Sequence, residues 1–419
     1  MSTSKKLNVV PIVMMFLLFA MIAFVTNLCN PMGVIVKSQF SLSNFQAQLG
    51  NLANFIAYLV MGIPSGLLLK KIGYKNTALL AIALGFIGVF LEYVSGWDSV
   101  QSFWVYLLGA FIAGFCMCML NTVVNPMLNT LGGGGNRGNQ LIQFGGVCNS
   151  LAATTVTIFG GALIGEVTKS TSIKDITPAL FTALAIFAVV FIVLALVKIP
   201  EPETNAVKAE GNVTTGAFKY RHFDLGILAI FLYMGVEVGF PTYVLQYLST
   251  PTDAATPGLG ISAAIAASIA GVYWLFMLCG RFVGGLIGGK VSSRTQISVV
   301  ATLVLVCTLI GMFGPKDITV NIQGAAIPVC ILAFVVAGLF TSVMWGGIFN
   351  MAVEGLGKYT EFASGMFMTM VFGGAILVPL QGAIADATHS FMTSYILVLV
   401  CAAYILFYAL VGSRVKTTN

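Results

Sequence analysis

Glu237 is the one carboxylic acid set deep inside an uncharged stretch of this chain, because Asp224, Glu166 and Asp386 fall near the ends of theirs. A carboxylate at such depth costs about 2.5 to 3.5 kcal/mol on insertion scales, so it is expected to face a wet cavity and to bind and release a cation. The competing reading is a neutral structural acid hydrogen-bonded to Tyr233, one helical turn earlier. Asn121, Asn125 and Asn129 recur at i, i+4 and i+8, which places three amides on one stripe of a helix. An amide donates to one hydroxyl and accepts from its neighbour, so the stripe suits a neutral, hydroxyl-rich ligand. Amides also bind helix to helix, at about 0.6 kcal/mol each on average, and that use competes for all three. Asn27, Asn30, Gln143, Asn149 and Asn350 complete a candidate ring, and Trp345, in the middle of an apolar run, is the candidate stacking surface. Tyr273 and Trp274 are second choices for stacking.

These residues need elements to hold them, and the composition dictates which. Of 419 residues 58% are hydrophobic and 8% charged, against roughly 25% charged in an ordinary soluble domain. So few charges cannot cover a water-facing exterior, which leaves a bilayer as the solvent. Eleven uncharged runs, from 7–36 to 387–413, and a twelfth at 225–252 broken only by Glu237, are long, continuous and without period-2 alternation. They predict twelve transmembrane helices and no barrel. With both termini cytoplasmic, the inner loops hold 15 of the 20 Lys and Arg residues, among them Lys70, Lys71, Lys75, Lys290 and Arg294. Arg281 lies inside a span near its cytoplasmic end, and no other base lies inside a span.

Several chemistries are excluded. The eight cysteines lie in apolar spans without a Cys-x-x-Cys, and His222 and His389 stand alone, so neither a metal site nor a cofactor is expected. Gly132 to Gly135 lacks the Gly-Lys-Ser/Thr of a phosphate loop. The +6 net charge follows from the cytoplasmic loops and implies no nucleic-acid partner. One buried Glu without paired acids or a His/Cys set does not make an intramembrane enzyme. Pro31, Pro126, Pro241 and Pro379 fall inside spans and are expected to interrupt four helices.

The polar stretch 199–221 divides the chain into six helices (1–198) and six (222–419). An internal repeat supports the division: Gly66, Leu67, Lys71 and Lys75 recur 219 residues on as Gly285, Leu286, Lys290 and Arg294, and Asn125 recurs at a spacing of 225 as Asn350. Parallel repeats of this kind place a substrate cavity between halves, near the bilayer midplane.

The stretch GIPSGLLLKKIGYKN resembles the loop 2–3 motif of the major facilitator superfamily, Gly-x-x-x-Asp-Arg/Lys-x-Gly-Arg/Lys, with Lys70 where the motif carries Asp. FSLSNFQAQL, LNTVVNPMLNTLG, FGGVCNSLAA, KYRHFDLGILAIFLYMGVEVG and GRFVGG together resemble the fucose/proton symporter family and its glucose/galactose relatives, in order and over nearly the whole chain. The resemblance implies the all-α fold of that superfamily, with two six-helix bundles, and a secondary transporter that takes up a neutral monosaccharide, a hexose, by alternating access. Asn149 matches a family sugar-site Asn in its Asn-Ser context. Asn30 and Asn121 stand where the fucose symporters carry an Asp and a Glu, and an amide cannot titrate. Proton coupling at those two positions is therefore lost. Glu237, in a Tyr-x-Gly-x-Glu-Val segment like that of the glucose/galactose members, is the expected coupling residue, for a proton or for sodium. An uncoupled sugar facilitator and a drug or metabolite exporter of the same superfamily remain alternatives. Against the exporter, no proline occurs between Arg137 and Glu166, where antiporters resemble a Gly-Pro-x-x-Gly-Gly pattern. A bacterial inner membrane is the expected location, with a bilayer as the chain's surroundings.

Overall fold

Lipid cannot hydrogen-bond the backbone, so each apolar run has to satisfy its amides within itself, and helices result. A computed structural model of the chain describes residues 9–42, 46, 49–164, 172–201 and 216–415. Within helices, the side chains of 25–31, 33, 34, 37, 38, 51 and 156–164 lie outside the described set. The helices are α1 (Val9–Gln39), α2 (49–72) and α3 (74–94), which form one run Leu49–Val94 bent at Gly73, then α4 (Phe103–Leu131), α5 (Gly135–Ile164) and α6 (Thr177–Leu196). They continue as α7 (Arg221–Ser249), α8 (Ala263–Gly288) and α9 (Ser293–Phe313). A short antiparallel hairpin follows, β1 (Thr319–Ile322) paired with β2 (Ala325–Pro328). α10 comes in two pieces (Val329–Thr341, Met344–Val353), as do α11 (Thr360–Thr369, Gly373–Thr388) and α12 (Phe391–Ser394, Ile396–Phe407). The exterior is apolar, as the composition requires: Trp104, Phe313 and Leu196 are 75%, 76% and 79% exposed.

The four prolines within spans do not end their helices. α1, α4, α7 and the second piece of α11 run through Pro31, Pro126, Pro241 and Pro379 as unbroken helices. The breaks fall at Ser342–Val343 in α10, at Met370–Phe372 in α11 and at Tyr395 in α12, where no proline stands. In membrane helices neighbouring groups make up for an amide that a proline removes, so proline alone does not locate a break.

The chain folds as two compact units. One takes in the described residues of Met1–Gly133, Gly145–Ala217 and Leu356–Thr369. In it α2 crosses the first piece of α11 on glycine. A Cβ on Gly66 would lie 2.6 Å from the Glu361 carbonyl, and one on Gly365 would lie 2.5 Å from the Gly62 carbonyl. Small residues let the two backbones approach this closely. The other unit comprises Gly134–Phe144, Phe218–Gly355 and Met370–Asn419. There α8 presents Gly280 and Gly284 to the break in α10, where added Cβ atoms would strike Leu339 O and Ser342 Oγ (both 2.1 Å) and Val343 Cγ1 (2.2 Å). The GRFVGG motif is thus a packing face that sets how α8 lies, and with it the direction of Arg281.

The 219-residue repeat has a physical counterpart in each unit. Lys75 Nζ donates to Ala195 O (2.7 Å) and Val197 O (2.8 Å) at the end of α6. Arg294 donates through Nη2 to Ser413 O (3.1 Å) and through Nε to Ser413 Oγ (3.2 Å), just past α12. Both cations satisfy carbonyls that a helix C-terminus leaves without partners, where the dipole also favours positive charge. In the loop between α2 and α3, Glu201 supplies an anion: its carboxylate accepts from Tyr74 N (2.8 Å) and Lys75 N (3.1 Å). Gly73 adopts φ 82°, and its missing Cβ leaves room for that carboxylate, which a side chain would meet at 2.8 Å.

Candidate substrate and coupling site

In the second unit α7 and α8 lie side by side and bring Glu237 to Arg281. Glu237 Oε1 is 3.6 Å from Arg281 Nη2, with the two side chains only 12% and 15% exposed. Arg281, the one base read inside a span, is the counter-ion of the deep acid. A pair this buried has shed most of its hydration, and 3.6 Å is longer than a charge-assisted hydrogen bond of about 2.7 to 2.9 Å. Tyr233, one turn before Glu237 and fully buried, has a hydroxyl near the carboxyl. Trp345 lies in the first turn of the second piece of α10, and its half-buried ring is 6.3 Å from that of Tyr233, centroid to centroid. Tyr273, buried on α8, shares a 2.8 Å hydrogen bond with the Thr341 hydroxyl, and Trp274 is 47% exposed. Trp345 follows the break in α10 by two residues, a placement that its mid-span position alone did not reveal.

The first unit holds the amide stripe. Asn121 Nδ2 donates to Tyr58 Oη (2.8 Å) and to Met117 O (3.2 Å). Asn125, fully buried, donates to Asn121 O (2.8 Å), and Asn129 follows, half-buried. Beside them Ser65 and Thr122, both buried, share a 2.7 Å hydroxyl bond between α2 and α4. Of the amide bonds, that of Asn121 to Tyr58 joins α4 to α2, while the others stay within α4. Asn149 is half-buried and donates to Phe19 O (2.9 Å) on α1. The side chains of Asn27 and Asn30 lie outside the described residues.

Two further candidates belong to the second unit. Gln143 Nε2 donates to Val343 O (2.9 Å), a carbonyl at the break of α10. Asn350 Nδ2 donates to Ser293 Oγ (2.8 Å) at the start of α9. Asn121, Asn125 and Asn149 belong to one unit, and Gln143, Trp345 and Asn350 to the other. Composition patterns missed Tyr58 and the Glu237–Arg281 pairing. They also missed Glu92, which is 2% exposed near the end of α3, its Cγ packed where a Cβ on Gly109 would stand (2.9 Å). An uncharged run that stops at an acid reads as a boundary, although the helix continues to Val94 and carries that acid inside. A groove of about 350 Å³ between α3 and α6, lined by Ile82, Phe86, Phe187 and Phe191 among others, is apolar throughout and offers a sugar no hydrogen bond.

The sequence model described as Major Facilitator Superfamily matches residues 15–379. The chain belongs to the major facilitator superfamily. This superfamily member is 30% identical over 403 residues to the glucose/galactose transporter of Brucella abortus (strain 9-941), covering 95% of this chain and 93% of that one. It is 23% identical over 433 residues to the L-fucose-proton symporter of Escherichia coli K12, with 98% and 94% covered. Among solved structures it is similar to the superfamily transporter FucP in the outward conformation, at TM-score 0.82 and 23% identity, covering 97% and 99% of the two chains. That likeness extends the fold to twelve helices, in agreement with the count from the charge spacing.

Proposed function

We propose that this superfamily member takes up a neutral hexose by alternating access, coupled to a proton through Glu237. The observation that carries the reading is the likeness, over nearly the full length of both chains, to a transporter named for glucose and galactose. The chemistry agrees with it. Arg281 already faces Glu237 at 3.6 Å, so it offers no spare cation to clamp a phosphate, which carries about two negative charges. Trp345 supplies the flat apolar face that sugar C–H groups prefer, and Asn149 is half-buried with hydrogen-bonding capacity toward hydroxyls. Asn27, Asn30, Asn121, Gln143 and Asn350 complete the set of substrate contacts in this reading, and Asn125, fully buried and bonded to Asn121 O (2.8 Å), holds the stripe in place. The repeats 1–198 and 222–419 rock about the site, joined by the cytoplasmic linker 199–221, with both termini cytoplasmic in a bacterial inner membrane. The chain transports its substrate chemically unchanged and is not an enzyme.

The test is radiolabelled glucose and galactose uptake into proteoliposomes, with pH and sodium gradients imposed separately. Saturable uptake driven by the pH gradient is expected, with no transport of hexose phosphates or uronates. Robust uptake of a hexose phosphate and none of free hexoses would end the reading. Stimulation by sodium at fixed pH would replace the proton by sodium, held by carboxylate and amide oxygens together. An uncoupled facilitator, which the amides at Asn30 and Asn121 favour, would respond to neither gradient.

A further inference from the structure

The groove between α3 and α6 has no part in the transport of a sugar, yet its shape and its surroundings are particular. Its floor is Ile82 and Phe187, both buried, and its walls are Phe86 and Ile87 on α3 and Phe191 and Ile192 on α6, all four exposed. Gly85 lets the floor sink, because a Cβ there would meet Phe187 Cε1 at 2.3 Å and Cys116 Sγ at 2.8 Å. A slot lined by apolar groups and open to hydrocarbon takes its occupant by van der Waals fit. At about 350 Å³ it holds less than one turn of a helix about 10 Å across, so it is too small for a helix of a second copy and suits a single acyl chain.

The depth of the groove and the charge at its end say which chain. One end of the α3–α6 seam is marked by the bonds of Lys75 Nζ to Ala195 O and Val197 O. Counted from there at about 1.5 Å per residue, the groove lies about 10 to 18 Å along α3, over 82–87, and about 5 to 12 Å along α6, over 187–192. Half the hydrocarbon thickness is about 15 Å, so the groove runs through the leaflet on the Lys75 side and reaches the midplane. Lys198 follows the Val197 carbonyl that Lys75 holds, and Lys71 stands two residues before the bend at Gly73. Both are exposed, and neither has a hydrogen bond or ion pair among the described residues. Against these three lysines stands Glu201, whose carboxylate is taken by the Tyr74 and Lys75 amides, so this end is cationic. We infer that the α3–α6 groove binds one anionic phospholipid, with an acyl chain in the slot and the phosphate at Lys71 and Lys198. Ammonium groups donate to phosphate oxygens, and the positive-inside distribution turns this end to the leaflet whose surface is anionic. The site is independent of what the chain transports.

Native mass spectrometry of the purified full chain, titrated with phosphatidylglycerol and with phosphatidylcholine of the same acyl chains, tests the site. The wild type is expected to take up one phosphatidylglycerol saturably and about twenty-five-fold more tightly than phosphatidylcholine, at about fivefold for each of the two lysines. Lys71→Gln/Lys198→Gln should bring the two lipids to equal affinity; Lys75 is kept, because it ties α3 to the end of α6. Ala188→Trp, at an exposed position on the groove, fills the slot and should abolish the saturable step for both lipids. The lysine variant leaves the packing untouched, so it decides alone if Ala188→Trp does not fold. Wild-type binding of phosphatidylglycerol in Ala188→Trp, or no preference for it in the wild type, would mean ordinary contact with surrounding lipid and overturn the inference. A preference that survives in Lys71→Gln/Lys198→Gln overturns it as well. A wild type that dimerises and an Ala188→Trp that is monomeric with its lipid binding intact would make the groove an interface between copies and overturn it too.

Discussion

On α4, Asn121 and Asn125 direct their amide hydrogens to Tyr58 and to carbonyls one turn back, and Ser65 and Thr122 close on one another. On α7 and α8, Glu237 and Arg281 stand 3.6 Å apart, longer than a strong hydrogen bond, beside the buried hydroxyl of Tyr233. Both regions bury polarity in an apolar chain, but neutral groups satisfied by their own neighbours gain little from rearranging. A desolvated ion pair beside a buried hydroxyl has a second arrangement close at hand, and a proton is enough to select it. The first region is suited to holding helices in place and the second to changing state.

Breaking the pair from one side should give the largest effect. Glu237→Leu leaves Arg281 buried without its counter-charge, which is expected to cost about 3 to 5 kcal/mol, with the lower end favoured by the residual exposure. Glu237→Leu/Arg281→Leu should recover most of the melting temperature of the detergent-solubilised protein. A single variant as stable as wild type would remove the contrast between the regions. Next in size, Asn125→Ala should lower stability by about 1 to 3 kcal/mol through the unpaired groups it leaves, with sugar affinity little changed. Asn149→Ala should do the reverse: apparent sugar affinity falls about tenfold and folding is nearly intact. Thermal unfolding and substrate titration of both variants check this, and unchanged affinity with a large loss of stability in Asn149→Ala would assign it to the helix-binding set.

The smallest effect is expected at the surface, in the loops that flank the first unit's helices. The hydrogen bond and charge of Lys174 hold the exposed Asp98 carboxyl below its usual range, and the Ser172 amide and hydroxyl do the same for Asp175. A depressed carboxylate stabilises the folded state above the ordinary carboxyl range, and that contribution is lost as pH falls through the lowered value. Lys174→Ala should therefore move the melting temperature slightly at neutral pH, less in high salt, and progressively less as pH falls through the lowered value of Asp98. A large shift that persists in acid would show a packing role for Lys174.

The helices and their number were legible because charge is scarce and confined to the ends of spans, so Lys70, Lys75, Lys290 and Arg294 mark the turns without help from any contact. The repeat was legible for a related reason: Lys75 and Arg294 each donate to a carbonyl near the C-terminal end of the last helix of their half. Glu237 stood out because an acid in hydrocarbon is costly. Its partner did not, since Arg281 lies on the next helix and only the Gly280 and Gly284 contacts with α10 decide where it points. Glu92 was hidden by the rule that an acid ends a span. The fate of the amides could not be read either, because Asn121 looks the same in sequence whether it bonds Tyr58 or a substrate.

The central claim is that the titration of Glu237 drives accumulation, and hexose movement in proteoliposomes measured in two ways tests it most directly. With an imposed pH gradient the wild type should concentrate labelled hexose above its outside level. Glu237→Gln keeps the shape and most hydrogen bonds of the acid but cannot titrate. It should exchange labelled for unlabelled hexose across the membrane, which needs the site but no protonation cycle, and it should fail to concentrate the sugar. Glu237→Gln that still concentrates hexose against its gradient would contradict the account.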